Sequence, residues 1–315
     1  MEETHTAISV KGLKKSYGKK EIFKGVTFSV PKGSIHVLLG SNGAGKSTMV
    51  RILSTGLLAD FGEIQIEGYD IQKNPGKVRE LISLTGQFSV VDEMLTGREN
   101  LVLMGKLYHI LSPTQKAEEL LQAFDLSKAA DDIVSTYSGG MKRKLDIAVS
   151  LVGNPQVLFL DEPTTGLDPQ SRRSMWEMIG KLKEKGVTIF LTTQYLEEAE
   201  VLADRVTVLN KGRILTEGTP LQLKEYLPQG AVQFTFEDAD SGEKAENIIK
   251  ECGCRLLKEE KEGKVMVFTD NGMETLTELL HRFYTKGVKM KNFEKLVPTL
   301  EDVFLAMIKD QEEEE

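Results

Sequence analysis

Ile35-His36-Val37-Leu38-Leu39-Gly40-Ser41-Asn42-Gly43-Ala44-Gly45-Lys46-Ser47-Thr48, running on into Met49-Val50-Arg51-Ile52-Leu53, is the stretch that decides the fold. Its first five residues read as a strand buried on both faces, and its last five carry a helical pattern. Between them lies a match to G-x-x-x-x-G-K-[ST]. In a strand–loop–helix setting the glycines let backbone N–H groups turn inward around phosphate oxygens, and the helix N-terminus adds a favourable dipole. Lys46 is then placed to contact β- and γ-phosphates, and the Ser47 hydroxyl to ligate Mg²⁺.

Two further segments read as buried strands, 157–160 and 187–191, each after a helix-like stretch. Strand, helix, strand at that spacing predicts a parallel sheet in an α/β fold. The first of them ends in Asp161-Glu162. Ligands bind at the carboxyl edge of such a sheet, so Asp161 is positioned to hold the Mg²⁺ shell and Glu162 to act on the attacking water as general base. Tyr137-Ser138-Gly139-Gly140-Met141, followed by a helical run over 142–152, offers a second helix N-terminus able to receive an anion.

Towards the N-terminus, alternating segments at 7–10 and 26–30, with turn residues at 17–20 and 31–33, predict strands and hairpin turns. Residues 87–154 read as a mainly helical insertion with an amphipathic stretch at 114–124. A linker is expected at Leu227-Pro228-Gln229-Gly230. Beyond it, strands at 232–236, 264–268 and 288–293, one more strand between, and helices at 243–252 and 273–284 suggest a βαββαβ module. A last helix over 300–308 has Thr299 as its N-cap, and Glu312 to Glu315 form a solvated tail. No internal repeat is present.

The chain has 315 residues, enough for about two domains. From Gln229 onward it carries 12 Lys/Arg against 20 Asp/Glu, which accounts for the whole net charge of −8. A protein that lives by gripping nucleic-acid backbones shows a basic surplus, so nucleic acid is disfavoured as a partner. Cys252 and Cys254 are too few for a disulfide framework or a zinc site and read as reduced thiols of a cytosolic protein. The acidic start, Met1-Glu2-Glu3-Thr4-His5, is unlike a signal peptide, and no apolar run reaches the roughly 20 residues of a membrane span.

The ordered set Tyr17, Gly40-Ser41-Asn42-Gly43-Ala44-Gly45-Lys46-Ser47-Thr48, Gln87, Tyr137-Ser138-Gly139-Gly140-Met141, Leu160-Asp161-Glu162-Pro163-Thr164 and Gly166-Leu167-Asp168-Pro169 resembles the nucleotide-binding subunit of an ABC transporter over positions 1–225. Gly86-Gln87, Asp92-Glu93 and Leu95-Thr96-Gly97-Arg98-Glu99-Asn100-Leu101, together with Thr192-Thr193-Gln194-Tyr195-Leu196-Glu197-Glu198-Ala199, are similar to the daunorubicin-resistance type of ATPase. That type serves exporters with separately encoded membrane subunits. Pro298-Thr299-Leu300-Glu301-Asp302-Val303-Phe304 resembles the end of an accessory domain often attached to it.

The resemblance implies a P-loop NTPase of ABC ATPase type over 1–228, with a mixed sheet core, an antiparallel β subdomain and a helical subdomain near 88–154. A small α+β ferredoxin-like domain over 229–310 and an acidic tail over 311–315 follow. It implies ATP and Mg²⁺ as ligands, Tyr17 stacked on adenine, and Gln87 reaching Mg²⁺ and water while sensing the membrane subunit. Asp168 falls at a subunit seam. Ser138, Gly139, Gly140 and Met141 face the γ-phosphate held by a second copy, so that two ATP are sandwiched in a homodimer. The expected place is the cytoplasmic face of the cell membrane, peripheral, beside an integral membrane permease that selects the substrate. Many relatives of this kind carry His where this chain has Gln194; an amide still donates a hydrogen bond but does not become cationic. Two rival readings are a catalytically degenerate regulatory subunit, drawing on Gln194, and a soluble ABC ATPase acting on ribosomes or DNA. The second generally has two nucleotide domains in one chain or a long coiled-coil insertion, and neither is seen in this sequence.

Overall fold

The structure is a computed structural model that describes residues 6–87, 89–225, 231–258, 264–268, 273–295 and 299–304. The first five residues, the expected linker at 227–230, the far end of the last helix and the acidic tail lie outside them. The chain divides into two compact units between Pro220 and Leu221.

In the first unit, Ile35–Leu39 lies inside a six-stranded sheet in the order Arg213–Gly218, Arg205–Asn210, Ile35–Leu39, Thr188–Thr193, Val157–Asp161, Ile82–Thr85. All pairings are parallel except that of Arg213–Gly218 with Arg205–Asn210. Every residue of Ile35–Leu39, Val157–Asp161 and Thr188–Thr193 is buried, as expected of a sheet covered on both faces. The predicted 7–10 and 26–30 segments are the cores of longer strands, Thr6–Tyr17 and Lys20–Pro31, which pair as an antiparallel hairpin. With Phe61–Ile66 and Tyr69–Asp70 they form a separate four-stranded sheet.

The helix Lys46–Leu53 joins these two layers. It buries Met49, Val50, Ile52 and Leu53 in one cluster with Ile8, Val10, Phe28 and Ile64 of the antiparallel sheet and with Leu38, Phe159 and Phe190 of the parallel one. The apolar packing that fixes the helix therefore also fixes the loop that precedes it. The helical insertion contains Gly97–Leu107, Pro113–Ala123 and Gly139–Ser150. Gly97–Leu107 opens on a capping box, in which Thr96 and Glu99 each satisfy the other's backbone N–H. Among the described residues no helix is long and apolar enough to cross a membrane.

In the second unit the strand order is Arg255–Lys258, Lys264–Phe268, Ala231–Phe236, Met290–Lys295, all antiparallel. With the helices Ala239–Glu251 and Met273–Thr285 this is the ferredoxin-like arrangement. Its core joins Val232, Phe234 and Phe236 to Ile248, Ile249, Leu279 and Phe283, with the Phe234 and Phe283 rings edge to face at 5.2 Å. Thr299 accepts from the Asp302 N–H and donates its own N–H to the Asp302 carboxylate, which makes it the N-cap expected for the last helix.

His36 is wholly buried in the first unit. Its ring is stacked between Phe28 and Phe190, with centroids 5.6 and 5.7 Å away, and Nε2 lies 2.9 Å from Thr207 Oγ1. Burial, aided by the nearby Arg205, pushes its pKa down to about 3. The native chain thus stays unprotonated where the unfolded chain binds a proton, so stability is full above pH ~6.5 and is lost as pH falls through the range towards 3. At pH 5 the loss from this residue is about 2 kcal/mol. Denaturant titrations of the parent chain and His36→Phe at pH 7.5 and pH 5 will differ in their pH-dependent part by that amount, the substituted chain being the flatter.

Candidate active site

The phosphate loop leaves Leu39 at the carboxyl edge of the sheet and enters the helix through Gly45, whose φ of 111° is a conformation that glycine adopts without strain. A Cβ there would sit 2.9 Å from the Phe23 ring, and one on Gly40 would sit 2.6 Å from the Leu209 carbonyl oxygen. The loop is thus a backbone cradle with no room for side chains at two of its corners. Lys46 is only 4% exposed. Its ammonium donates to the carbonyls of Gly40 (3.0 Å) and Ser41 (3.2 Å), and its third partner is Glu162 Oε1 at 3.2 Å.

Parallel pairing brings the other predicted groups to the same edge. Asp161 ends its strand opposite Thr192, and Thr192 Oγ1 donates to Asp161 Oδ1 at 2.5 Å. The Glu162 N–H donates to the Thr192 carbonyl at 3.1 Å, while Glu162 itself takes a left-handed φ of 49°. For a residue other than glycine that conformation costs energy, and it aims the carboxylate at Lys46. The Thr193 carbonyl accepts from the Gly40 N–H at 3.2 Å, so Gln194, the next residue, is adjacent to the loop. Gln87 stands two residues beyond Thr85, which pairs with Leu160, and is therefore close to the end of the carboxylate strand.

Other predicted residues lie apart from this cluster. Tyr17 is exposed at the hairpin end of the antiparallel sheet, with Lys15 Nζ 5.8 Å from its ring centroid. Ser138 is the N-cap of Gly139–Ser150 and accepts from the Met141 N–H at 3.2 Å. Ser138, Gly140 and Met141 line a groove of about 210 Å³ with Gln170, Ser171 and Ser174. Asp168 is the exposed N-cap of Pro169–Glu184, and the Ser171 hydroxyl and N–H bound to it hold its pKa below the usual carboxylate value. This helix end thus sits beside Asp168 and Ser171.

Several functional contacts were missed from sequence. Thr192 holds the Asp161 carboxylate through its hydroxyl and accepts the Glu162 backbone N–H at its carbonyl. Glu198, buried and pushed up in pKa by that burial, accepts from Thr164 Oγ1 at 2.8 Å and from Trp176 Nε1 at 3.0 Å. It thereby ties the segment after Glu162 to the helix after Gln194. Arg143 donates to the carbonyls of Gly86, Asp161 and Pro163. The one available signal was a charged residue, Asp146, inside the apolar run Leu145 to Val149.

Chemically, the edge brings together a glycine-rich loop that opens a helix, one ammonium, one carboxylate held in place by a hydroxyl, and one carboxylate facing the ammonium. That donor set suits a Mg²⁺-bound polyphosphate. Among the described residues no group of three His, Cys, Asp or Glu is placed to hold a metal by itself, and Mg²⁺ characteristically takes one or two protein oxygens and completes its shell with phosphate oxygens and water. Asp161 and Ser47 fit that share.

A family model described as ABC transporter matches residues 23–165. The daunorubicin/doxorubicin resistance ATP-binding protein DrrA of Streptomyces peucetius is 42% identical over 307 residues, 96% of this chain and 92% of its own length. The doxorubicin resistance ATP-binding protein DrrA of Mycobacterium tuberculosis is 39% identical over 99% of this chain and 97% of its own. A solved structure of the ATP-binding subunit of an ABC transporter matches with a TM-score of 0.62 at 30% identity, covering 70% of this chain and 93% of that one. With a phosphate cradle, two carboxylates at one sheet edge and near full-length similarity of this kind, the chain belongs to the ABC transporter family, among the ATP-hydrolysing subunits of its daunorubicin-resistance type.

Proposed function

We propose that the chain binds Mg²⁺ and ATP at the Gly40 to Thr48 loop and works as a homodimer in which two ATP are clasped between copies. The observation that carries this reading is the Lys46–Glu162 contact at 3.2 Å, which places a candidate base beside the phosphate cradle. In this reading backbone N–H groups from Ser41 to Thr48 and the Lys46 ammonium hold the β- and γ-phosphates. Ser47, Asp161 and Gln87 hold the cation, which neutralises phosphate charge and orients the oxygens. Glu162 orients water and takes its proton as the water attacks the γ-phosphorus in line and the bond to the β,γ-bridging oxygen breaks, releasing ADP and phosphate, and Gln194 donates a hydrogen bond to the γ-phosphate. Tyr17, exposed at its hairpin end, stacks on adenine.

Ser138, Gly139, Gly140 and Met141 lie on the chain's own surface beside Asp168 and supply the γ-phosphate contact to the other copy. Closure of the dimer on ATP and its opening after hydrolysis drive a permease in a separate chain, at the cytoplasmic face of the membrane, and the assembly exports a drug-like or other cargo selected by the permease. Intact Lys46, Asp161 and Glu162 favour this over the degenerate regulatory subunit.

Glu162→Gln keeps the size and hydrogen-bonding reach of the side chain but removes the base. The steady-state ATPase rate of this variant will fall by roughly 10²–10⁴ while nucleotide affinity, read with a fluorescent ATP analogue, changes little. Undiminished turnover would overturn the assignment. Gln194→Ala will lower kcat by about tenfold, the worth of one hydrogen bond to a charged group. Gln194→His will retain activity and add a titration near pH ~6.5 to the rate profile that the parent chain lacks.

A further inference from the structure

In the reading proposed above, Asp161 and Glu162 at the end of one strand and Gln87 just beyond another serve the same nucleotide, and something must fix the distance between them. Two charged side chains on the helix Gly139–Ser150 touch both segments. The Arg143 guanidinium donates through Nη1 to the Gly86 carbonyl (2.6 Å), through Nη2 to the Asp161 carbonyl (3.1 Å) and through Nε to the Pro163 carbonyl (3.0 Å). Its rigid fork serves three acceptors on two segments at once, a geometry that the single ammonium of lysine does not reproduce. One turn further on, Asp146 is only 2% exposed, and its Oδ1 accepts from Ser89 Oγ (3.0 Å) and from the Val90 N–H (2.9 Å). The Gln87 segment is therefore held on both sides by one helix, through Gly86 before it and Ser89 and Val90 after it.

That helix begins at Ser138-Gly139-Gly140. We propose that Arg143 and Asp146 are positioning residues that latch Gln87 to the Ser138 helix end, so that engagement of this end sets how far Gln87 stands from Asp161 and the bound cation. The proposal rests on the reading of Gln87 and of Ser138 to Gly140 given above, and adds the physical link between them. Asp146 is buried and Arg143 half-buried, and a charge taken out of water is costly unless its bonds are made. A shift of the helix end that broke one of these bonds would leave a charge unpaired, so the loop and the helix move together.

The test is a cycle of substitutions in the full-length chain, with nucleotide affinity measured without Mg²⁺, and kcat and the Mg²⁺ concentration for half-maximal ATPase measured together. Asp146→Ala will lower kcat and raise the half-maximal Mg²⁺ by about tenfold, with Mg²⁺-free affinity unchanged within about twofold. Asp146→Asn retains the acceptor oxygen and will stay within about twofold of the parent. Ser89→Ala, which removes one hydroxyl and nothing else, will give the same change on a smaller scale, and it keeps the test open if Asp146→Ala does not fold. In a Gln87→Ala background, Asp146→Ala (or Ser89→Ala) will add less than about twofold, because the element it positions is gone. An undiminished loss on top of Gln87→Ala, or an Asn variant as impaired as the Ala variant, would overturn the latch while leaving Gln87 its role. A Gln87→Ala chain with an unaltered Mg²⁺ requirement would overturn the role of Gln87 and the latch with it.

Discussion

A buried ammonium must be surrounded by acceptors, and at Lys46 the acceptors are the carbonyls of Gly40 and Ser41 and the carboxylate of Glu162. Removing any partner leaves a charge in a low-dielectric recess, so this one side chain ties the conformation of the loop to the position of the carboxylate strand. The rest of the first unit is arranged to keep that geometry. The helix that Lys46 opens is packed between two sheets, and the strand bearing Glu162 is separated from that of the loop by Thr188–Thr193 alone, whose Thr192 and Thr193 bond to both sides.

The same construction explains why the site is one-sided. Parallel strands deliver the phosphate loop, Asp161, Glu162, Gln194 and Gln87 to a single edge, while Ser138 to Gly140 and Asp168 form a second surface with its own groove. A helix N-terminus exposed to solvent has N–H groups in search of an acceptor. In the proposed dimer a phosphate presented by another copy would supply one, and the nucleotide would then act as the bond between chains.

The sequence disclosed whatever is local in chain and strong in chemistry. The loop was legible because Gly43, Gly45 and Lys46 are demanded by backbone conformation and by charge at fixed spacing, and the β-α-β-β-α-β order of the second unit because strand and helix periods alternate clearly there. Contacts that depend on tertiary placement were not legible. Thr192 is an ordinary strand threonine until pairing sets it against Asp161. Arg143 is one of three successive basic residues, 142–144, and nothing in their spacing says which of them turns inward to the carbonyls. The short strands Phe61–Ile66 and Ile82–Thr85 escaped notice because the first exposes four of its six residues and the second has only four.

The central claim is that ATP joins two copies of the chain through the Ser138 to Gly140 surface of one and the Lys46 loop of the other. Light scattering of the hydrolysis-deficient Glu162→Gln chain at saturating ATP and Mg²⁺ measures this directly. The account predicts twice the mass of the chain with ATP, a return to the single-chain mass when ATP is withdrawn, and loss of the larger species on adding Ser138→Arg to block the surface. A single-chain mass throughout, with nucleotide demonstrably bound, would contradict it.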